Sequence, residues 1–274
     1  MKISALGEFG LIERIRKSSL QKSPSVLTGI GDDAAALRVA PSAALLATTD
    51  MLIEKVHFDL AYTDFYSLGW KSAAVNLSDI AAMGGLPRFC LTSLAIPSRI
   101  TAEQILDFYS GFNGLLRIHR TVLAGGDTCA SPDALVVSVT ALGEAHRRMI
   151  LTRAGAKPGD HILVTGTLGD SAAGLELLRM RGAEHGVRQG RRGKGFSSAL
   201  HTPDSELVRR HLRPVPRVEW GRKIALSGCA SAMIDISDGL SSDLGHVCEQ
   251  SGLGAVVYSA RIPLSAALRK SAGQ

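Results

Sequence analysis

Apolar and polar positions recur along this chain with two periods, and the points where one period gives way to the other mark out its elements. In residues 8–20, Phe9, Ile12 and Ile15 alternate with Arg14, Arg16 and Lys17, the spacing of a short amphipathic helix. Residues 34–39 and 45–49 read as strands, the second running into Thr48-Thr49-Asp50. From 64 to 83, Trp70, Ala74, Leu77 and Ala81 fall at helical spacing and predict a long helix. Residues 88–96 read as a strand ending at Pro97. Thr101 and Gln104 then form a capping box that opens a helix to about residue 120. A strand at 122–124 is followed by a glycine turn, Gly125-Gly126, and Asp127, and a β-branched strand covers 134–143.

Composition shifts at His146-Arg147-Arg148, which divides the chain into domains at 1–146 and 147–274. The second is expected to be α/β, with strands at 161–165, 230–236 and 254–258. Helices are expected at 172–180, 204–211, 217–226 and 241–250, with a closing segment at 264–270. Pro214 and Pro216 separate the middle two helices. The glycine-rich connection at 166–171 either presents helix N–H groups to an anion or simply joins strand to helix.

A length of 274 residues suits two ordinary domains, and 45% hydrophobic with 20% charged residues is a globular balance. No apolar run approaches the roughly 20 residues that span a bilayer. The first residues lack the apolar core of a secretion signal, so the expected location is cytoplasmic. Cys90, Cys129, Cys229 and Cys248 are too far apart to suggest a zinc site or a disulfide framework. Much of the net charge of +6 lies in the Gly/Arg-rich residues 179–194, which lack interleaved aromatics and read as a solvated loop. Neither nucleic acid nor a membrane is expected as a partner.

The candidate chemistry lies in acidic residues at element ends. Gly29-Ile30-Gly31-Asp32-Asp33 sets two carboxylates side by side. Two charges about 4 Å apart repel by about 4 kcal/mol at an effective dielectric of about 20, so such a pair calls for a cation or for water. Thr48 and Asp50 share one face of their strand and Thr49 faces the other. Asn76 and Asp79 lie on one helix face, Asp79 among apolar neighbours. Asp127 follows the glycine pair, and Asp235-Ile236-Ser237-Asp238-Gly239 precedes a helix. Each alone is equally a polar turn. Together, without a His/Cys set, they favour hard-oxygen coordination of Mg²⁺ on a polyphosphate. No Walker A or protein-kinase signature is present, which leaves a non-P-loop phosphate enzyme.

These stretches closely resemble the thiamine-monophosphate kinase family, in order and over almost the whole chain. The match takes in 29–33, 48–50, the run Ala-Val-Asn-Leu-Ser-Asp-Ile-Ala-Ala-Met-Gly at 74–84, Gly125-Gly126-Asp127-Thr128, 152–160, 164–174 and 234–240. The resemblance implies the two-domain fold of aminoimidazole ribonucleotide synthetase, its N-terminal sheets paired across a homodimer. It also implies transfer of the γ-phosphoryl group of ATP to thiamine monophosphate. By motif, Asp33, Thr48, Thr49, Asp50, Asp79, Asp127, Asp235 and Asp238 correspond to Mg²⁺ ligands. Tyr109, Gly126, Asp127, Arg153 and Ser237 correspond to ATP contacts, and His57 to a substrate contact. The family pattern continues with a Gly-Gly-Glu-Asp-Tyr-Glu segment that this sequence lacks, so the second domain reads as truncated and acceptor binding is expected to be impaired. Residues 181–202 look like an insertion. A related enzyme with another acceptor, or a nucleotide-binding protein without turnover, are the alternatives.

Overall fold

A computed structural model describes residues 8–18, 24, 26–28, 36–37, 40–41, 43–186 and 203–273. Helix α1 (Glu8–Ser18) is followed by a small antiparallel pair, β1 (Val26–Thr28) and β2 (Ala36–Leu37). The chain then builds one mixed sheet from β3 (Ala43–Ile53), β4 (Leu86–Pro97), β5 (Val122–Ser131) and β6 (Val136–His146), in the order β3-β6-β4-β5. Strand β6 is antiparallel to both β3 and β4, and β4 and β5 are parallel. A parallel pair needs a crossover, and α3 (Ala102–Ile118) supplies it, while α2 (Phe65–Ala82) joins β3 to β4.

Both helices start where their caps place them. Asp64 Oδ1 accepts from Ser67 N at 2.7 Å, and Thr101 and Gln104 make the reciprocal pair of bonds expected of a capping box. Their apolar stripes, including Leu68, Leu77, Ile80, Phe108, Phe112 and Leu116, close over Leu94, Val137 and Val139 of the sheet to form the main core. The opposite sheet face is different. There Phe89, Val122 and Ala124 form a separate cluster with Leu91 and Leu142, and Leu45 and Met51 remain more than half exposed.

Among the described residues after β6 the elements are helical: α4 (Asp170–Gly186), α5 (Pro203–Leu212), α6 (Val218–Ser227), α7 (Leu240–Ser251) and α8 (Ala266–Ser271), with single 3₁₀ turns at Arg147–Met149 and Ser259–Arg261. Helix α6 docks closely on α2: a Cβ added at Gly221 would lie 2.1 Å from Ala81 O. No described helix is long and apolar enough to cross a membrane.

Three expectations change. The segments 161–165, 230–236 and 254–258 form no strands. β-branched content shows that side chains suit a pleated surface, but a strand also needs a partner backbone, and here Leu163 and Val256 stand 87% and 73% exposed. The strand expected at 122–124 runs on through Gly125, Gly126 and Asp127, so the glycine pair is not a turn. Helix α4 begins at Asp170, where Thr167 and Ser265 hydroxyls donate to the carboxylate, and continues into the region read as a loop. The Asp32-Asp33 pair lies outside the described residues, as do 187–202 of the supposed insertion.

Candidate functional site

The second half of α2 is apolar except for Asn76, Ser78 and Asp79; Asn76 and Asp79 engage β3, and Ser78 engages a loop far along the chain. Thr48 Oγ1 donates to Asp79 Oδ2 at 2.6 Å. Asp50 N donates to Asn76 Oδ1 at 3.2 Å, and the fully buried Asn76 is steadied by its own bond to Ser72 O. Ser78 Oγ donates to Asp235 Oδ2 at 2.9 Å, which brings the 231–239 loop onto the helix. Strand alternation explains the Thr48 contact, since Leu46, Thr48, Asp50 and Leu52 all turn their side chains to the same face, and the Asp50 N–H is reached along the strand edge. Thr49 faces away, where its hydroxyl donates to Val139 O and accepts from Thr140.

Asp50, Asp79 and Asp235 all have pKa values raised from the ordinary carboxylate range. For each the largest cause is burial, and each also feels a neighbour's negative charge: Asp235 on Asp50, Asp50 on Asp79, and Asp79 and Asp243 on Asp235. The Thr48 and Ser78 hydrogen bonds partly oppose the rise at Asp79 and Asp235. The positive charge of Arg153 acts on Asp79, and the His57 ring lies near Asp50. The structure therefore gathers Thr48, Asp50, Asp79 and Asp235, with Arg153 and His57 at the margin.

Among the described residues no three His, Cys, Asp or Glu side chains converge as ligands of one ion. Neutral and carboxylate oxygens set apart in this way fit Mg²⁺, which keeps several waters and binds through one or two carboxylates plus substrate phosphates. Ser237 and Asp238 are exposed on the same loop as Asp235. That loop is shaped by Asp243, a buried residue that the sequence reading missed, whose Oδ2 accepts from Ser237 N and Gly239 N at 3.0 Å each. A carboxylate in the first turn of a helix, reaching back to the preceding backbone, is a recognisable capping pattern and could have been found.

Three candidates lie elsewhere. In register across the sheet, Asp50, Val139, Thr92 and Gly126 form one row and Met51, Ser138, Ser93 and Asp127 the next. Asp127 thus sits on the face opposite Asp50, three strands or about 14 Å away. Tyr109 is buried in the core, its ring centroid 5.2 Å from that of Phe108, and burial pushes its hydroxyl pKa up. Gly126 is where sheet packing demands glycine, because an added Cβ would lie 2.1 Å from Thr92 O.

Beside the acidic group, a pocket of about 260 Å³ lies between the loop after β3 and helices α4 and α5, lined by Val56, His57, Phe58, Tyr62, Arg179 and His211 among others. His57 Nδ1 accepts from Ile53 N at 3.0 Å, which leaves Nε2 as its free nitrogen. Burial, followed by the charge of Lys71, lowers the His211 pKa to about 4, so this imidazole is neutral at pH 7.

Comparison with known proteins agrees with this layout. Residues 31–145 match the family model for the AIR synthase related protein N-terminal domain, and 157–272 that for its C-terminal domain. The chain is 40% identical over 265 residues to thiamine-monophosphate kinase of Bacillus subtilis (strain 168), a match covering 97% of this chain and 77% of that one. It superposes with a TM-score of 0.79 and 40% identity on the crystal structure of thiamine-monophosphate kinase from Stenotrophomonas maltophilia K279a, covering 96% of this chain and 78% of the other. A second structure, "AaThiL complexed with AMPPCP and TMP", matches with a TM-score of 0.74 and 35% identity, over 100% of this chain and 79% of that one. With both domain models matched in order and this identity over nearly its whole length, the chain belongs to the thiamine-monophosphate kinase family of AIR synthase related proteins.

Proposed function

We propose that this chain transfers the γ-phosphoryl group of ATP to thiamine monophosphate in a Mg²⁺-dependent reaction, giving thiamine diphosphate. The observation that carries the reading is that contacts of Thr48, the Asp50 backbone and the Asp235 carboxylate with α2 bring Asp50, Asp79 and Asp235 close enough to feel one another's charge. Its support from kinship is a family member bound to AMPPCP, a non-hydrolysable ATP analogue, and TMP. Phosphoryl transfer needs positioning and charge neutralisation more than a covalent nucleophile. Asp50, Asp79 and Asp235, with Thr48, would supply oxygens to Mg²⁺ bound with the polyphosphate, one or two carboxylates to an ion, and the bound cation would neutralise charge on the polyphosphate. Asp238 and the backbone of Thr49 extend that donor set, and Asp33 belongs to it by motif.

Arg153, whose charge already acts on Asp79, faces the phosphates together with Ser237. His57 offers its Nε2–H to the acceptor, whose organic part enters the adjoining pocket. ATP as co-substrate fits a cytoplasmic setting, and the chain works as two domains divided near residue 146.

The reading includes a homodimer. Among the described residues strands β3 and β5 are open edges of 11 and 10 residues, and the outer sheet face carries the Phe89 cluster and exposed Met51. Open edges and exposed apolar faces are stabilised by pairing. Two sheets closed head to tail would set β5 of one chain beside β3 of the other, so that Asp127 of the partner subunit lies on the Thr49 face of β3, across the strand from Asp50. The test is Asp50→Ala and Asp127→Ala. Each should abolish Mg²⁺-dependent turnover while leaving the melting temperature of the metal-free protein undiminished, and wild-type turnover in either would refute the assignment.

A further inference from the structure

Ser78 is half-buried on α2, one residue before Asp79, and its hydroxyl contacts a carboxylate 157 positions along the chain. The loop that carries this carboxylate is fixed on its far side by Asp243, but those bonds go to the backbone at Ser237 and Gly239 and not to the Asp235 side chain. Asp235 also faces the negative charge of Asp79, which drives it away from the helix. The Ser78 hydroxyl opposes that repulsion. A lysine or arginine in its place would hold Asp235 more firmly but cancel its charge. A neutral hydroxyl engages Oδ2 and leaves the charge available to a cation.

We propose that Ser78 is a positioning residue for binding of the divalent cation with its nucleotide: by holding Asp235 against α2, it keeps this carboxylate turned toward Asp50 and Asp79. The inference rests on the reading of Asp235 as part of the cation site. Hydrogen-bond partners that orient a metal's ligands typically contribute 10–100-fold to its affinity.

The test is Mn²⁺ binding in the presence of ATP, followed by electron paramagnetic resonance, in Ser78→Ala, Ser78→Thr, Asp235→Ala and Ser78→Ala/Asp235→Ala. Ser78→Ala should bind Mn²⁺ about 10–100-fold more weakly with an unchanged melting temperature. Ser78→Thr, which keeps the hydroxyl, should bind near the wild-type level. Adding Ser78→Ala to Asp235→Ala should have no further effect. Wild-type binding by Ser78→Ala beside weakened binding by Asp235→Ala would overturn the role of Ser78 alone, as would an equal loss from Ser78→Ala in the Asp235→Ala background. Undiminished binding by Asp235→Ala would overturn both this role and the cation site on which it rests.

Discussion

Gly126→Ala separates two explanations of a glycine beside a candidate phosphate site. If glycine is there only to let a ligand approach, adding a methyl group should weaken nucleotide binding and leave the fold intact. The sheet geometry says otherwise. The added Cβ would sit 2.1 Å from Thr92 O, short of ordinary contact by about 1.3 Å, and the obstacle is the backbone of β4, not a side chain that can rotate away. Strands β4 and β5 would have to part, stretching the parallel ladder that runs from Phe89↔Val122 to Pro97↔Ser131. Overpacking typically costs about 1–3 kcal/mol, and collision with backbone belongs at the upper end. At about 2–4 °C per kcal/mol for a chain approaching this size, the melting temperature should fall by about 6–12 °C in the absence of any nucleotide. Differential scanning calorimetry on the ligand-free protein measures this. An unchanged melting temperature with a raised KM for ATP would refute the packing argument.

The crowded carboxylates give a prediction of opposite sign. Asp50, Asp79 and Asp235 have folded pKa values above the model value of 3.8, so the folded state binds more protons than the unfolded state from about that pH upward. Stability of the metal-free protein therefore falls as pH rises through that window and stays lowered at neutrality. Asp79→Asn should raise the metal-free melting temperature at pH 7.5, with the gain shrinking toward pH 4; a lower melting temperature at pH 7.5 would contradict the account. For the proposed dimer, the inactive variants Asp50→Ala and Asp127→Ala should recover about one quarter of wild-type turnover when unfolded and refolded together, because half the dimers are mixed and each has one intact site. No recovery would place both residues in a site made by a single chain.

The N-terminal elements were legible in the sequence because their signals are local. Asp64 and the Thr101/Gln104 box mark helix starts within four residues, and the 3.6-residue period continues from there. The segments 161–165, 230–236 and 254–258 misled because β-branched content reports side-chain preference while a ladder depends on a partner remote in sequence. At Gly125-Gly126 a turn signal was outweighed by a close strand contact, visible only once β4 lay alongside. The site divides in the same way. Thr48, Asp50 and Asp79 followed from strand alternation and helical spacing. Ser78 acquires its role from a residue 157 positions away, and nothing in its neighbours announces it. Tyr109 could have been placed from the helical phase, since Ile105, Phe108 and Phe112 mark α3's buried stripe. Asp127 ran the other way: its motif was read as a turn, but it continues β5, and one strand step past the inward row sends Asp127 to the opposite face.

The most direct measurement is chromatographic detection of thiamine diphosphate after the purified chain is incubated with ATP, Mg²⁺ and saturating thiamine monophosphate. The account predicts thiamine diphosphate and ADP in equal amounts, with neither formed when Mg²⁺ is chelated. Tight binding of ATP and Mg²⁺ with no thiamine diphosphate after prolonged incubation would contradict it.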